Sequence, residues 1–180
     1  GGTDAGGAAG DGGGAGDSGS YPGPVAVPAG PPECVADPQT LAEAGACAGV
    51  RVGTALSRGI DAPYAEIFQR EFNAFTPEND TKIDQLQPSQ GNWSFANSDA
   101  LLALATQSPV WFKGHTLIWH SQPPSYLPAQ FADVAELDAY MKAHIDAVLA
   151  YYGAAAFAWE VVNEALDGTE PRNSPFSTPG

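Results

Sequence analysis

Short apolar runs alternate with stretches of helical periodicity along most of the chain. Four runs predict strands, over 49–56, at the start of 73–80, over 109–119 and over 155–165. The last of these contains AWEVVNEA (158–165), whose apolar, β-branched first half is typical of a strand that a parallel sheet buries on both faces. This run ends in an amide beside a carboxylate, groups that are costly to bury without partners. Either the amide and the carboxylate at the end of this strand are solvated, or they belong to an active site.

Helical periodicity fills the segments between these runs. The first predicted helix covers 63–72, with Pro63 at its first position, and the second covers 98–107. The clearest helix starts after Asp133, which lies three residues before Glu136 in a capping-box-like arrangement, and it ends at Gly153. Its apolar residues recur at helical spacing: Val134, Leu137, Met141, Ile145, Val148 and Tyr152.

Strands that alternate with helices at this spacing predict right-handed βαβ units and a parallel sheet. Doubly wound sheets and (β/α)₈ barrels both fit four such strands. A barrel needs about 250 residues, so a globular part of roughly 150 residues would form little more than half of one. No G-x-G-x-x-G follows the first strand, which disfavours a nucleotide-binding sheet. The predicted fold class is α/β, as the first four βα units of a (β/α)₈ TIM barrel.

The N-terminal segment differs in composition from the rest of the chain. Twelve of the 21 glycines lie in the first thirty residues, so residues 1–32 are expected to form a flexible Gly/Pro-rich linker, followed by a domain over 33–180. No run approaches the roughly 18 apolar residues of a membrane span, and we expect any signal peptide to have lain upstream.

The charge balance limits the partners. The net charge of −14 rests on 21 acidic residues against seven Lys and Arg. Nucleic acid and anionic membranes require clustered cations, so neither is an expected partner, whereas a neutral polymer remains compatible with this charge.

The chain has two cysteines, Cys34 and Cys47, near the start of the globular part. An even count beside a linker suggests an extracellular disulfide that closes a short loop. Two unpaired buried thiols remain the alternative, because spacing alone does not fix disulfide geometry.

Polar residues gather where the second, third and fourth predicted strands end. Together they supply a carboxylic acid, amides, hydroxyl-binding groups and an aromatic ring, which is the mixture that a sugar site needs. In parallel α/β folds these strand ends carry the active site. The candidates are Glu78, Asn79, Lys82, His115, Trp119, His120, Gln122, Asn163 and Glu164.

Taken singly, these residues have simpler interpretations. Glu164 is compatible with a solvated surface carboxylate, His115 with a structural histidine and Trp119 with a core residue. Lys82 could form an i, i+4 pair with Glu78 on a helix. The convergence of three clusters favours a site over these separate explanations.

Three stretches resemble a known family. TPENDTK (76–82), GHTLIWHSQPPSYL (114–127) and WEVVNEA (159–165) are similar to the T-x-E-N-x-x-K, G-H-T-L-x-W-H-x-Q-x-P and W-D-V-V-N-E patterns of the family 10 glycoside hydrolases, chiefly endo-1,4-β-xylanases. The resemblance runs over about 49–176 with order and spacing intact. It implies a (β/α)₈ barrel that hydrolyses xylan with retention, using two carboxyl groups about 5–5.5 Å apart.

The resemblance also assigns roles. It implies that Glu164 is the acid/base and that Asn163 binds the 2-hydroxyl of the sugar at the cleavage site. It places His115 and Trp119 in the wall of the subsite at the scissile bond and leaves His120 structural. The remaining residues would hold the two sugars on the non-reducing side: Glu78, Asn79, Lys82 and Gln122.

The chain departs from the family patterns at several positions. Glu160 stands where the family usually has Asp, and we expect this longer side chain to shift a contact with the histidine wall. Ile83 and Tyr126 replace frequent tryptophans. The nucleophile, a glutamate in a T-E-L-D-like motif of the seventh strand, is expected beyond Gly180. Residues 1–180 alone are therefore expected to be inactive.

The leading hypothesis is the N-terminal part of a secreted endo-xylanase that acts on xylan or xylo-oligosaccharides without a cofactor or a metal. A carbohydrate-binding module upstream of the linker remains an open expectation. The alternatives are a relative that acts on other β-1,4-glycans or aryl glycosides, and a non-catalytic glycan-binding module.

Overall fold

The computed structural model describes Gly23, residues 33–106 and residues 110–177. Apart from Gly23, the predicted linker lies outside these residues. The helices are α1 (Leu41–Ala48), α2 (Ala62–Glu71), α3 (Ile83–Leu86), α4 (Ala96–Ala105) and α5 (Val134–Tyr152), followed by a 3₁₀ turn (Gly153–Ala155). The strands are β1 (Gly53–Leu56), β2 (Ala74–Pro77), β3 (Trp111–Gly114), β4 (Ile118–Trp119), β5 (Ala156–Trp159), β6 (Val162–Asn163), β7 (Leu166–Asp167) and β8 (Glu170–Pro171).

The main sheet has four strands in the order β1-β2-β3-β5, and all its pairs are parallel. Gly53 lies opposite Ala74, and Ala74 lies opposite Trp111. Each strand is thus hydrogen-bonded to the main-sheet strand that precedes it along the chain. This arrangement confirms the predicted parallel sheet built from successive βα units.

Aromatic side chains fill the layer between the sheet and its helices. Phe75 of β2 stacks on Phe112 of β3 with ring centroids 5.4 Å apart, and Phe68 of α2 meets Phe75 edge-on at 5.9 Å. Phe112 also packs against Tyr152 at the end of α5. All four side chains are fully buried, and each contributes about 1.5–3 kcal/mol by leaving water.

The predicted helices are present with shifted ends. α2 begins at Ala62 because the Asp61 side chain accepts a hydrogen bond from the Tyr64 N–H, so Pro63 occupies the second helical position. α4 begins at Ala96, two residues before the predicted start. α5 begins as predicted, with the Asp133 carboxylate accepting from the Glu136 N–H at 2.8 Å.

Helix α1 was not predicted from the sequence, and it lies directly before the predicted first strand over 49–56. Thr40 and Glu43 form a capping box at its start, and Gly49, with φ +67°, ends it. The strand therefore begins at Gly53 rather than at 49. The buried Asn73 accepts from the Val52 N–H at 2.6 Å and donates to the carbonyl of Ala42 in α1, so this helix lies at the N-terminal end of the sheet.

A disulfide joins Cys34 to Cys47 of α1, as the sequence suggested. The two residues are 13 positions apart, and closing a loop of this size is worth about 3 kcal/mol in the chain-entropy account.

We expect a Cys34→Ser/Cys47→Ser variant to lose up to about 3 kcal/mol of unfolding free energy, measured by urea denaturation. Reductant should lower the stability of the parent chain similarly and leave the variant unchanged. Equal stability of parent and variant would contradict this expectation.

His144 is a buried histidine on α5 that stacks on Trp93 with ring centroids 5.5 Å apart. Burial lowers its pKa from 6.5 to about 4, against a smaller raising effect of the Leu117 backbone. As pH falls below 6.5, the unfolded chain therefore takes up a proton that the folded chain does not accept until about pH 4.

We expect this histidine to remove about 3 kcal/mol of stability between pH 6.5 and pH 4. Urea unfolding of the parent chain and of His144→Leu at pH 7 and pH 4.5 isolates its contribution, since other titrating groups are common to both. The parent should lose more stability on acidification than the variant. Parallel pH dependences would show that His144 is not the group responsible.

The predicted strand over 155–165 is wrong in one respect. It divides into β5 and β6 at Glu160, and β6 pairs with β4 in a separate small sheet. Val161 and Val162 are about half exposed, and β5 is only partly buried, because β5 is the last strand of the main sheet. Burial on both faces, which the apolar run indicated, is therefore not found here.

Candidate active site

The loops that follow β3 and β5 run side by side above the sheet. The short strands β4 and β6 pair in parallel, with Ile118 opposite Val162 and Trp119 opposite Asn163. This pairing brings two of the three predicted polar clusters together at the carboxyl ends of the strands. The edge where chemistry is expected in a parallel fold thus carries the candidate residues.

Lys82 joins the first cluster to the second. Its Nζ donates to Oδ1 of Asn79 at 2.8 Å and to Oε1 of Gln122 at 2.7 Å, and it lies 4.4 Å from the centre of the Trp119 ring. The lysine is buried, so its charge is held by these hydrogen bonds and by the cation–π contact. The helical pair of Lys82 with Glu78, considered from the sequence, is replaced by these partners.

Glu164 stands at the end of β6 with its side chain half exposed to the open side of the loops. Its Oε2 accepts the indole N–H of Trp119 at 2.9 Å and lies 3.7 Å from Nε2 of His120. Its backbone has φ +49°, a left-handed conformation that is uncommon for residues other than glycine. Arg172 steadies this backbone by donating from Nε to the Glu164 carbonyl at 3.3 Å.

His115 follows β3 and is held at its ring. Its Nδ1 lies 2.9 Å from Oε2 of Glu160, and Nζ of Lys113 lies 3.5 Å from the same oxygen. Burial raises the pKa of Glu160, but the hydrogen bond with His115 and the nearby Lys113 charge outweigh it and lower the pKa overall. The longer carboxylate at position 160, expected to shift this contact, still reaches the histidine.

The remaining predicted residues lie at the margins of this group. Glu78 follows β2 and accepts a hydrogen bond from Ser57 after β1. Gln122 has φ +54°, which marks a sharp turn in the loop that returns its side chain to Lys82. Tyr126, in place of a frequent tryptophan, bonds through its hydroxyl to Tyr140 of α5 at 2.8 Å and so fixes the same loop.

Several residues that support the site were not predicted from the sequence. Lys113 and Arg172 hold the site through an ion pair and main-chain hydrogen bonds, and the hydroxyl of Thr81 bonds the main chain of His115. Their residue types carry no distinctive signal in the sequence. His120, interpreted as structural, lies near the Glu164 carboxylate, and its position in the motif directly after Trp119 could have indicated this.

A cavity of about 400 Å³ opens beside Glu164. Its lining combines apolar and polar side chains, among them Ile118, Met141, Val162, Asn163, Arg172 and Phe176. This space adjoins β6, and its lining does not include Lys82, Asn79 or Gln122.

Two features are absent from the described ranges. Residues 33–106 and 110–177 contain no group of three or more His, Cys, Asp or Glu side chains arranged to hold a metal ion. The helices of that part of the chain include none with the length and apolar character needed to cross a membrane.

The fold is similar to that of solved xylanases. Xylanase 10B from Thermotoga petrophila RKU-1, solved in complex with xylobiose, aligns with a TM-score of 0.73 and 27% identity, over 79% of this chain and 45% of that one. The endo-1,4-β-xylanase XylE of Penicillium canescens aligns with a TM-score of 0.65 and 29% identity, over 69% and 39%. The four parallel strands are therefore part of a (β/α)₈ barrel of the glycoside hydrolase class.

The sequence comparisons define the family. Endo-1,4-beta-xylanase 1 of Humicola insolens is 38% identical over 130 residues, which cover 69% of this chain and 30% of the relative. Endo-1,4-beta-xylanase A of Caldicellulosiruptor sp. (strain Rt8B.4) is 35% identical over 131 residues, 63% of this chain and 19% of the relative. The profile of Glycosyl hydrolase family 10 matches residues 40–179.

The chain belongs to glycosyl hydrolase family 10 and forms part of its catalytic domain. This confirms the resemblance drawn from the three motifs. The chain spans less than a third of the length of these two curated relatives and less than half of the aligned structures.

Proposed function

We propose that the complete barrel to which this chain contributes is a retaining endo-1,4-β-xylanase. The observation that carries the proposal is the setting of Glu164. Its carboxylate stands half exposed at the end of β6, with one oxygen bound to the Trp119 indole N–H, and Nζ of Lys82 lies over the face of the same ring. Membership of family 10 and the xylanase names of its relatives support the same activity.

In the proposed reaction, Glu164 donates a proton to the glycosidic oxygen as the bond to the anomeric carbon breaks. A second carboxylate, expected beyond Gly180, attacks that carbon and forms a glycosyl-enzyme. Glu164 then removes a proton from water, whose oxygen displaces the carboxylate. Two inversions at one carbon give net retention.

The neighbouring residues would hold the substrate. Asn163, which lies opposite Trp119 in the β4–β6 pair, would bind the sugar 2-hydroxyl next to the acid/base. His115 and Trp119, with ring centroids 6.2 Å apart, would form the wall of the subsite at the scissile bond. The non-reducing sugars would meet the polar residues around the buried lysine: Glu78, Asn79, Lys82 and Gln122.

The test is the stereochemistry and substrate preference of a full-length barrel that contains this chain. Proton NMR of early products from a xylo-oligosaccharide should show the β-anomer before mutarotation. An α-anomer would contradict retention. Faster release from cellulose or from aryl glucosides than from xylan would favour a relative acting on other β-1,4-linked sugars.

A second function, glycan binding without hydrolysis, has one specific observation in its favour. The cluster of Lys82, Asn79 and Gln122 is already joined by hydrogen bonds within the 180-residue chain, so binding would require little reorganisation. This predicts that the chain binds xylobiose with a dissociation constant on the order of 1 mM, equivalent to about −4 kcal/mol.

We also propose that the protein acts outside the cell. The disulfide between Cys34 and Cys47 is the supporting observation, since such bonds persist in oxidising compartments. A carbohydrate-binding module joined through the Gly-rich segment would suit an enzyme that acts on an insoluble polymer. The mechanism uses two carboxyl groups and water, and it assigns no step to a cofactor.

A further inference from the structure

Thr81 lies between two candidate sugar-binding residues, Asn79 and Lys82, but its side chain is turned away from them. It is completely buried. Its Oγ1 donates to the carbonyl of His115 at 2.6 Å and accepts from the His115 N–H at 3.2 Å. One hydroxyl therefore serves both main-chain groups of a residue 34 positions away.

This contact occurs just past the point where the main sheet ends. The β2–β3 pairing runs through Ala74 opposite Trp111 and Phe75 opposite Phe112, and His115 follows the last residue of β3. On the other side, the β5 segment still bonds this loop, because the Leu117 N–H donates to the Glu160 carbonyl. On the β2 side, the Thr81 hydroxyl takes the place of a strand partner.

His115 is consequently fixed at two points. Its ring is bound to Glu160 at 2.9 Å, and its main chain is bound to Thr81. If Nδ1 donates to Glu160, the remaining ring nitrogen, Nε2, is the one free to face a sugar. The position of Nε2 depends on the main-chain bonds with Thr81 as well as on the ring contact with Glu160. Only the contact with Glu160 was expected from the sequence.

We infer that Thr81 is a positioning residue that sets the place of His115 in the wall of the sugar subsite. This inference rests on the proposed function for its sugar ligand, although the contact with His115 does not. Removing the hydroxyl leaves the part-buried carbonyl and N–H of His115 without this partner, so the His115 segment should move to recover hydrogen bonds. A displaced wall should then weaken sugar binding.

The experiment compares Thr81→Val, which keeps the shape but removes the hydroxyl, with Thr81→Ser, which keeps the hydroxyl. Ser98→Ala is the matched control, because Ser98 is also buried and its hydroxyl bonds the Phe95 carbonyl and Tyr152 away from the site. Each is made in the 180-residue chain. Xylobiose affinity is measured by NMR titration, and the His115 ring nitrogens are observed by long-range proton–nitrogen correlation.

Thr81→Val should bind xylobiose roughly tenfold more weakly and should shift the His115 ring resonances. Thr81→Ser and Ser98→Ala should stay within about twofold of the parent affinity, with unchanged His115 resonances, although Ser98→Ala loses stability. Parent-like affinity and unmoved His115 resonances in Thr81→Val would overturn the inference.

Two other outcomes also decide it. If no protein binds xylobiose but Thr81→Val alone moves the His115 resonances, the positioning role stands and the proposed ligand fails. If Thr81→Val does not fold, Thr81→Ala replaces it. Failure of both to fold, while Thr81→Ser and Ser98→Ala fold, would assign the hydroxyl to the fold and overturn the inference.

Discussion

Replacing Glu164 with alanine in a full-length barrel should lower the rate of xylan hydrolysis by about 10²–10⁴-fold, the usual contribution of a positioned general acid. An aryl xylobioside with a good leaving group should keep its first chemical step, because that leaving group needs no proton. Its second step should slow, since water then lacks a base.

Azide should restore turnover of the activated substrate in Glu164→Ala, because a small anion attacks the glycosyl-enzyme without losing a proton. Steady-state rates on both substrates, with and without azide, provide the measurement. Glu170→Ala is the matched control, since Glu170 is an exposed carboxylate in β8 on the adjacent hairpin. Equal slowing on both substrates with no azide effect would remove Glu164 from the acid/base role.

Residues 1–180 alone should release no sugar from xylan. Retention needs two carboxyl groups about 5–5.5 Å apart across the bond. Among the residues that the structure describes, the other carboxylates near the site are already engaged, Glu160 with His115 and Lys113, and Glu78 with Ser57. The family nucleophile is expected on a later strand, so no glycosyl-enzyme should form.

The assay uses the purified chain on xylan and on an aryl xylobioside, beside a Glu164→Gln chain. Sugar release that Glu164→Gln abolishes would overturn this expectation and would make Glu78 the first candidate nucleophile.

Self-association of the chain should compete with folding, because β1 and β5 are the edge strands of the main sheet and Val161, Val162 and Leu166 are exposed. Light scattering of the same sample reports it.

The four main-sheet strands and the larger helices were predictable because each shows an apolar run or a helical stripe, although their ends were less certain. α5 carries both a capping residue and a helical stripe, and its ends were placed correctly. α1 was missed because LAEAGACA has eight residues and Leu41 is its only large apolar side chain, so no apolar stripe repeats along it, although the capping box of Thr40 and Glu43 marks its start. α3, with four residues, is too short for any periodicity to appear.

The break between β5 and β6 could not be predicted, since it depends on contacts with a distant segment. The Glu160 N–H donates to the Gly114 carbonyl, and the Glu160 carbonyl accepts from the Leu117 N–H and the Thr116 hydroxyl. These bonds hold the chain at the point where it leaves one sheet and enters another. The apolar run itself continues through this point, so it predicts a single strand.

Most residues of the site could be predicted from the sequence, but the contacts between them could not. The motifs supplied Lys82, Trp119 and Glu164, and the structure brings them into one chain of contacts. The bond of Thr81 reaches a residue 34 positions away, and that of Arg172 reaches Glu164 because the β7–β8 hairpin folds the chain back. Neither residue type is distinctive. Tertiary contacts, rather than local pattern, select these residues.

The order of the main sheet has a consequence for how the chain is made. Each of its strands pairs with the main-sheet strand immediately before it, so every pairing joins a new strand to one already synthesised. As the polypeptide leaves the ribosome, β2 can dock on β1, β3 on β2 and β5 on β3 without waiting for distant sequence. The strand ends that carry Lys82 and Glu164 can therefore come together during translation, because each new strand joins the edge of the sheet formed last.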